Sequence, residues 1–103
     1  MTTARPAIRW SDLRARTVGV WGLGIEGDAN FRRLEALGAD VVLVDDHPST
    51  SEWSGRPVLS TAGGGLEALG RCEVVVKTPG ISRHRPEVAG LVDSGVPVAG
   101  GLG

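Results

Sequence analysis

Short runs of apolar residues recur along the chain, separated by stretches in which polar residues dominate. The runs lie at 17–21, 41–44, 58–59, 73–77 and 96–98, and most are rich in valine. Near-continuous apolar runs of this length are typical of strands buried on both faces of a parallel sheet, whereas half-exposed strands alternate. We therefore predict five strands.

The stretch 25–37 has the pattern of a helix. Gly27, Phe31, Leu34 and Gly38 recur at spacings of four, three and four residues, which places them on one helical face. Glycine is the usual residue just past the end of a helix, so Gly38 predicts the C-terminus.

Two further helices are predicted, a short one at 64–69 and a longer one at 85–94. Pro86 near the first turn and Gly95 after the last are the usual residues at these two positions. Strand and helix therefore alternate along the chain. This order predicts an α/β fold, namely a Rossmann-like parallel sheet of about five strands with helices on both faces.

Composition narrows the class of protein. The chain has 103 residues, 41% of them hydrophobic, and a net charge of −1, which argues against nucleic-acid or membrane-surface partners. We predict a polar lead-in at 1–16 with one helical turn near 11–16, then a single domain at 17–103, with 47–55 as a loop. No signal peptide or membrane span is apparent, so we expect a cytoplasmic protein. Cys72 is the single cysteine, and we expect it to be a buried, inert thiol.

The segment 22–27 carries the pattern G-x-G-x-x-G between the first strand and the first helix. In this context Gly22 permits a tight turn, Gly24 allows a diphosphate to approach the backbone, and Gly27 allows the helix to pack closely on the sheet. The N–H groups at the start of the helix would then face the anion. The alternative is a glycine-rich turn that binds nothing.

Three polar residues follow the second strand. Asp45 could accept a hydrogen bond from a ribose hydroxyl or a nucleobase, or simply cap the next loop. We expect Asp46 to face solvent. His47 is interpreted as an ordinary loop histidine, with stacking on a base as the alternative.

A third segment, Thr78-Pro79-Gly80, follows the fourth strand. Proline stiffens this turn and glycine permits close approach of the backbone. Loops after the first, second and fourth strands should converge at the carboxyl edge of the sheet, where open α/β sheets bind ligands. We expect Arg83 and Arg85 to belong to a solvated loop.

The chain shows no catalytic constellation. His47 and His84 lack metal-ligand spacing, and no G-x-x-x-x-G-K-[ST] loop for ATP phosphates is present. We therefore predict a domain that binds a ligand without catalysing a reaction or holding a metal.

Taken together, these segments resemble the Mur ligase family. The resemblance rests on V-G-V-W-G-L-G-I-E-G at 18–27, Val-Asp at the second strand, V-V-V-K-T-P-G-I at 74–81 and G-V-P-V at 95–98. Within the family it is strongest to the ligases that add glutamate to UDP-N-acetylmuramoyl-L-alanine. It implies an N-terminal domain that holds the UDP-sugar, with ATP and Mg²⁺ bound by a central domain and the amino acid by a C-terminal one.

The resemblance also implies roles for individual residues. The diphosphate would lie against Gly24, Ile25 and Glu26, the uracil against Asp45, Asp46 and His47, and the far wall would be Thr78, Pro79 and Gly80. Glu26 stands where a small hydroxyl residue is common in the family. Because a carboxylate repels a diphosphate, Glu26 must turn away or pair with an arginine.

Two other functions fit the same residues. The glycine run with Asp45 also suits an NAD(P)-binding domain of a dehydrogenase or sensor. A structural or assembly module with an empty site is the third interpretation, and Glu26 beside the phosphate position favours it.

Overall fold

The structure, a computed structural model, describes residues 15–23, 25–78, 80–82 and 84–100, and of residues 25–27 only the helical backbone. Its elements are β1 (Thr17–Trp21), α1 (Ile25–Ala36), β2 (Asp40–Asp45), β3 (Glu52–Trp53), β4 (Arg56–Ser60), α2 (Leu66–Gly70), β5 (Val74–Lys77), α3 (Pro86–Asp93) and β6 (Val98–Ala99). An irregular helical turn, Thr61–Gly65, connects β4 to α2. The predicted α/β architecture is confirmed.

The strands form one sheet in the order β3-β4-β2-β1-β5-β6. All neighbours pair in parallel except β3, which is antiparallel to β4. β1 lies in the middle, with β2 on one side and β5 on the other. The chain order therefore reverses at β1, and the carboxyl ends of β1, β2 and β5 meet at one edge, which is where doubly wound sheets bind ligands.

The core consists of two hydrophobic layers, one on each face of the sheet. Phe31 and Leu34 of α1 pack on one face, and Leu69 and Leu91 of α2 and α3 pack on the other. Leu34 and Leu69 are fully buried, so truncation of either to alanine would cost about 2–5 kcal/mol. Gly19 belongs to the second layer, because a Cβ there would lie 2.5 Å from the Leu69 side chain. The predicted face of α1 thus contributes Phe31 and Leu34 to the core.

The predicted end of α1 is confirmed in its physical detail. The backbone of Gly38 has φ +82°, a conformation that glycine adopts without strain. The N–H of Ala39 donates to the carbonyl of Leu34 at 3.0 Å, which satisfies one of the last helical carbonyls. The thiol of Cys72 is buried as expected, and burial raises its pKa to about 11.

Three element predictions need correction. The 47–55 segment is not all loop, because it contains β3, so the sheet has six strands. α2 begins at Leu66 rather than at residue 64 because the preceding turn includes Gly64 with φ +97°. The last strand begins at Val98 rather than at residue 96, since the N–H of Val96 closes α3 by donating to Leu91 at 2.9 Å. The predicted turn near 11–16 falls almost entirely outside the described residues.

Candidate functional site

The loops after β1 and β5 touch at Gly22. Its backbone has φ +94°, and a Cβ there would lie 2.3 Å from the Oγ1 of Thr78. Its N–H donates to the carbonyl of Val44 at 2.7 Å, while the N–H of Thr78 donates to the carbonyl of Trp21 at 3.1 Å. A side chain at position 22 would therefore strain the backbone and push the two loops apart.

Asp45 connects the glycine turn to the loop after β2. Its Oδ2 accepts the N–H of Leu23 at 2.6 Å, and its Oδ1 accepts the N–H of His47 at 2.9 Å. A carboxylate has about four lone-pair positions, and the described residues use two of them. The capping role considered for Asp45 is therefore present, and it leaves acceptor capacity at the edge of the sheet.

Asp46 does not face solvent as expected, because Arg85 holds it in a bidentate ion pair. The distances from the guanidinium nitrogens to its carboxylate oxygens are 2.6 and 3.3 Å, and Thr61 donates to the same carboxylate at 2.7 Å. The Arg85 and Asp46 side chains are 25% and 34% exposed. The expectation that Arg85 belongs to a solvated loop is therefore also wrong, while Arg83 lies outside the described residues.

The ion pair belongs to a larger polar group, which we call the Arg85 cluster and define as Trp21, Asp46, Thr61, Arg85 and Glu87. The guanidinium lies 5.0 Å from the centroid of the buried Trp21 ring, whose Nε1 donates to Thr61 at 3.1 Å. Arg85 also pairs with Glu87 at 3.2 Å. The cluster therefore links the ends of β1 and β2 to the start of α3.

The electrostatics of the Arg85 cluster argue against anion binding there. Hydrogen bonds from Arg85 hold the pKa values of Asp46 and Glu87 below their usual range, so both carboxylates stay ionised at neutral pH. Two carboxylates against one guanidinium leave a net charge of −1. The Arg85 cluster is therefore an unfavourable place for an anion.

Among the cavities that the described residues line at this edge, two lie beside Asp45 and Arg85. The larger has a volume of about 410 Å³, within the range of small-molecule sites, and is lined by Leu23, Asp45, His47, Pro48, Ser49, Thr50 and Trp53. We call it the Asp45 cavity. The smaller, of about 280 Å³, is lined mainly by the Arg85 cluster and shares His47 with its neighbour.

The structure brings together some of the predicted site residues. Asp45 and His47 line one cavity, Asp46 and His47 the other, and Gly22 and Thr78 contact each other beside them. Gly80 is exposed and lines neither of these two cavities. Gly24 and Pro79, and the side chains of Ile25, Glu26 and Gly27, lie outside the described residues. The binding roles of all these residues stay predictions.

Sequence analysis missed Trp53, which lines the Asp45 cavity. The signal was a lone tryptophan in an otherwise polar segment assigned to a loop.

Among the described residues, no group of histidine, cysteine, aspartate or glutamate has a geometry that could hold a metal. Within that same part of the chain, no helix is long and apolar enough to cross a bilayer.

Three curated proteins of similar sequence are glutamate ligases. The chain is 42% identical over 101 residues to UDP-N-acetylmuramoyl-L-alanine–L-glutamate ligase of Salinispora tropica, and 41% identical to that of a Micromonospora strain. It is 34% identical over 100 residues to UDP-N-acetylmuramoylalanine–D-glutamate ligase of Frankia casuarinae. Each match covers 91% of this chain but only 21–22% of the relative, so the chain spans about a fifth of their length. No protein-family model matches the chain.

A solved structure shares the fold. The apo form of NADPH-dependent glyoxylate/hydroxypyruvate reductase from Sinorhizobium meliloti superposes with a TM-score of 0.58 and 23% identity, covering 94% of this chain and 35% of the reductase. At that identity the likeness concerns the fold alone. The sequence similarities are more specific, and they extend across nearly the whole chain, which is similar to the N-terminal region of the glutamate-adding ligases.

Proposed function

We propose that this chain binds UDP-N-acetylmuramoyl-L-alanine as the nucleotide-sugar domain of a cytoplasmic ligase that adds glutamate in peptidoglycan biosynthesis. The chain itself binds and does not catalyse, while ATP, Mg²⁺ and glutamate are held by other domains of the ligase. The observation that carries the proposal is the position of Asp45. Its carboxylate joins the glycine turn to the β2 loop and lines a 410 Å³ cavity between them.

The chemistry of the Asp45 cavity suits a uracil ring. Uracil presents one ring N–H and two carbonyl oxygens. The Asp45 lone pairs that the described residues leave unused supply an acceptor for the N–H, and the hydroxyl of Ser49 supplies a donor for a carbonyl. A cytosine ring has an unprotonated nitrogen at the same place, which a carboxylate repels. The proposal therefore includes a preference for UDP over CDP.

The diphosphate would lie at the turn that leads into α1. The backbone N–H groups of a helix N-terminus attract anions, and α1 is a helix of 12 residues that begins directly after the turn. Gly22 keeps this turn tight. The negative Arg85 cluster on the other side of His47 would discourage the diphosphate from binding there.

The dinucleotide alternative has less support. The reductase shares the fold at 23% identity, which does not extend to its ligand, and the curated relatives are ligases rather than dehydrogenases. NAD is accordingly the control ligand in the test below.

Calorimetric titration of the folded chain tests the proposal. UDP-N-acetylmuramoyl-L-alanine and UDP should bind saturably, CDP should bind more weakly, and NAD should not bind. Asp45→Asn places an amide NH₂ against one of the two backbone N–H groups and removes the charge. Hydrogen bonds to charged groups contribute about 1.5–3 kcal/mol, so affinity should fall roughly tenfold to a hundredfold.

Asp93→Asn is the matched control, because Asp93 is an exposed aspartate at the end of α3. It should bind as the wild type does. Binding of NAD without UDP-sugar would replace the proposal with the dinucleotide function. No binding of any of the four ligands by the folded chain would support a structural module instead.

A further inference from the structure

Trp53 lies in β3, a strand of two residues at the edge of the sheet. β3 and β4 form a hairpin whose turn residues Ser54 and Gly55 have φ +51° and +81°, the geometry of a type I′ turn. The hairpin adds Trp53 to the wall of the Asp45 cavity, 31 residues along the chain from Gly22 but next to the glycine turn in space.

We propose that Trp53 is the surface on which the pyrimidine ring of the nucleotide stacks, and that it determines the preference of this cavity for a planar ring. The inference rests on the proposed function and adds to it a residue and a mode of recognition. Trp53 and His47 are the described residues of the Asp45 cavity wall that carry aromatic rings, and the indole of Trp53 has the larger face. Aromatic faces bind nucleobases through stacking, whatever the base, while the nearby carboxylate supplies the hydrogen-bond selectivity.

The indole is held in place from its polar edge. Its Nε1 donates to the Oδ1 of Asp28 in α1 at 3.3 Å, and Arg32 pairs with the other oxygen of the same carboxylate at 2.9 Å. Part of the ring packs on the hydrophobic layer that contains Phe31. Because these contacts restrict the ring before ligand arrives, stacking on it requires little additional ordering.

The hairpin itself is anchored at its other strand. Arg56, opposite Trp53, donates to the carbonyl of Val41 at 3.2 Å and pairs with Glu35 of α1 at 3.5 Å. α1 therefore contacts both strands of the hairpin, through Asp28 near its start and Glu35 near its end. This double attachment fixes the distance between Trp53 and the glycine turn that begins α1.

A merely structural tryptophan would give different binding behaviour. If the indole only covered α1, its replacement would lower the stability of the fold and leave the affinity of the folded protein unchanged. If it stacks on the base, its replacement lowers affinity for ligands with an aromatic base and leaves affinity for ligands without one unchanged. A pair of ligands separates the two roles.

The experiment compares UDP with 5,6-dihydro-UDP by calorimetry on the wild type, Trp53→Leu and Trp53→Phe. The dihydro ring keeps its N–H and both carbonyls but is puckered and has no aromatic face. Stacking contributes about 1–3 kcal/mol per base, so the wild type should bind UDP roughly 5- to 150-fold more tightly than dihydro-UDP. In Trp53→Leu the ratio should fall to about one, and in Trp53→Phe it should be intermediate.

Tryptophan fluorescence provides the second readout. UDP should quench the emission of the wild type, and the quenching should disappear in Trp53→Phe. Trp10→Phe is the matched control, since it removes a tryptophan of the lead-in, and it should keep the quenching. The stacking role can be tested even if Trp53→Leu does not fold. The ratio of UDP to dihydro-UDP affinity in the wild type and the fluorescence of Trp53→Phe are then the two measurements that decide.

Each outcome decides the matter. Equal affinity of the wild type for UDP and dihydro-UDP, or unchanged UDP affinity in folded Trp53→Leu, would overturn the stacking role and leave the proposed function standing. Quenching that persists in Trp53→Phe would do the same. Failure of the wild type to bind either nucleotide would overturn the proposed function, and the role of Trp53 with it.

Discussion

Replacing Asp46 with asparagine tests the Arg85 cluster most directly. Asparagine has nearly the same shape and keeps an oxygen for Thr61, so the substitution removes mainly the charge opposite Arg85. An exposed ion pair contributes about 0–1 kcal/mol, whereas breaking a buried pair costs about 3–5 kcal/mol. Because the two side chains are one quarter and one third exposed, we expect an intermediate loss of about 2 kcal/mol in the free energy of unfolding.

The assay is thermal unfolding followed by far-UV circular dichroism at neutral pH and moderate salt. For a domain of about 100 residues, a loss of 2 kcal/mol lowers Tm by roughly 8–16 °C. Asp93→Asn changes the same functional group at the exposed end of α3 and should leave Tm nearly unchanged.

A double-mutant cycle isolates the pair. Arg85→Met keeps the aliphatic stem over Trp21 and removes the guanidinium. If Asp46 and Arg85 stabilise the fold through each other, the losses in Asp46→Asn and Arg85→Met should sum to at least 1 kcal/mol more than the loss in the double variant. A Tm for Asp46→Asn within about 2 °C of the wild type, or strictly additive losses, would refute the assignment of this ion pair as a stabilising contact.

Three further results are expected. Because the pKa of Asp46 is lowered, its ion pair stabilises the fold above the unfolded-state pKa of about 3.9 and loses this effect as pH falls through the lower folded-state value. The difference in the free energy of unfolding between wild type and Asp46→Asn, measured in urea, should therefore shrink toward zero below pH 4. A difference that grows in acid would contradict this sign. With its pKa raised from an ordinary value of 9.0 to about 11, Cys72 should react with a thiol reagent at pH 8 roughly 100-fold more slowly in the folded chain than in urea, from the thiolate fraction alone. Equal rates would mean that the thiol is accessible. Gly22→Ala should lower the free energy of unfolding in urea by about 2–4 kcal/mol, because it adds a clash with Thr78 to the strain of a positive φ. Gly38→Ala, with φ +82° and open space around it, should lower it by only about 1–2 kcal/mol. Similar losses in the two variants would show that the loops after β1 and β5 separate easily.

Sequence reasoning located the central strands because hydrophobic burial determines them. β1 was predicted with its observed limits, and β2 and β5 to within a residue at each end, since strands buried on both faces have polar residues only at their ends. The end of α1 was also predictable from the sequence, because Gly38 supplies a backbone conformation that few other residues adopt without strain.

The elements at the rim of the sheet were harder to predict for a physical reason. β3 has two residues, and its turn depends on Ser54 having a positive φ, which serine adopts infrequently. The stability of this hairpin comes from Trp53 and Arg56 reaching α1 and β2. Such contacts depend on the completed fold and leave no periodic signal in the local sequence.

The candidate site likewise contains residues that could be predicted from the sequence and residues that could not. Asp45 was identified because a carboxylate at the end of the second strand has a recognisable place in this type of fold. The ion pair between Asp46 and Arg85 was not predicted, since the two residues are 39 positions apart and each lies in a stretch of polar residues. Only the parallel sheet, which brings the ends of β1, β2 and β5 to one edge, makes them neighbours.

The two-residue strand β3 also has a consequence for the behaviour of the chain in concentrated solution. Without it, the five residues of β4 would form a long open edge with unpaired N–H and carbonyl groups, a surface on which other molecules can add strands. β3 covers part of that edge and is itself too short to offer more than one or two backbone hydrogen bonds to a neighbour. The hairpin therefore disfavours edge-to-edge aggregation at this side of the sheet.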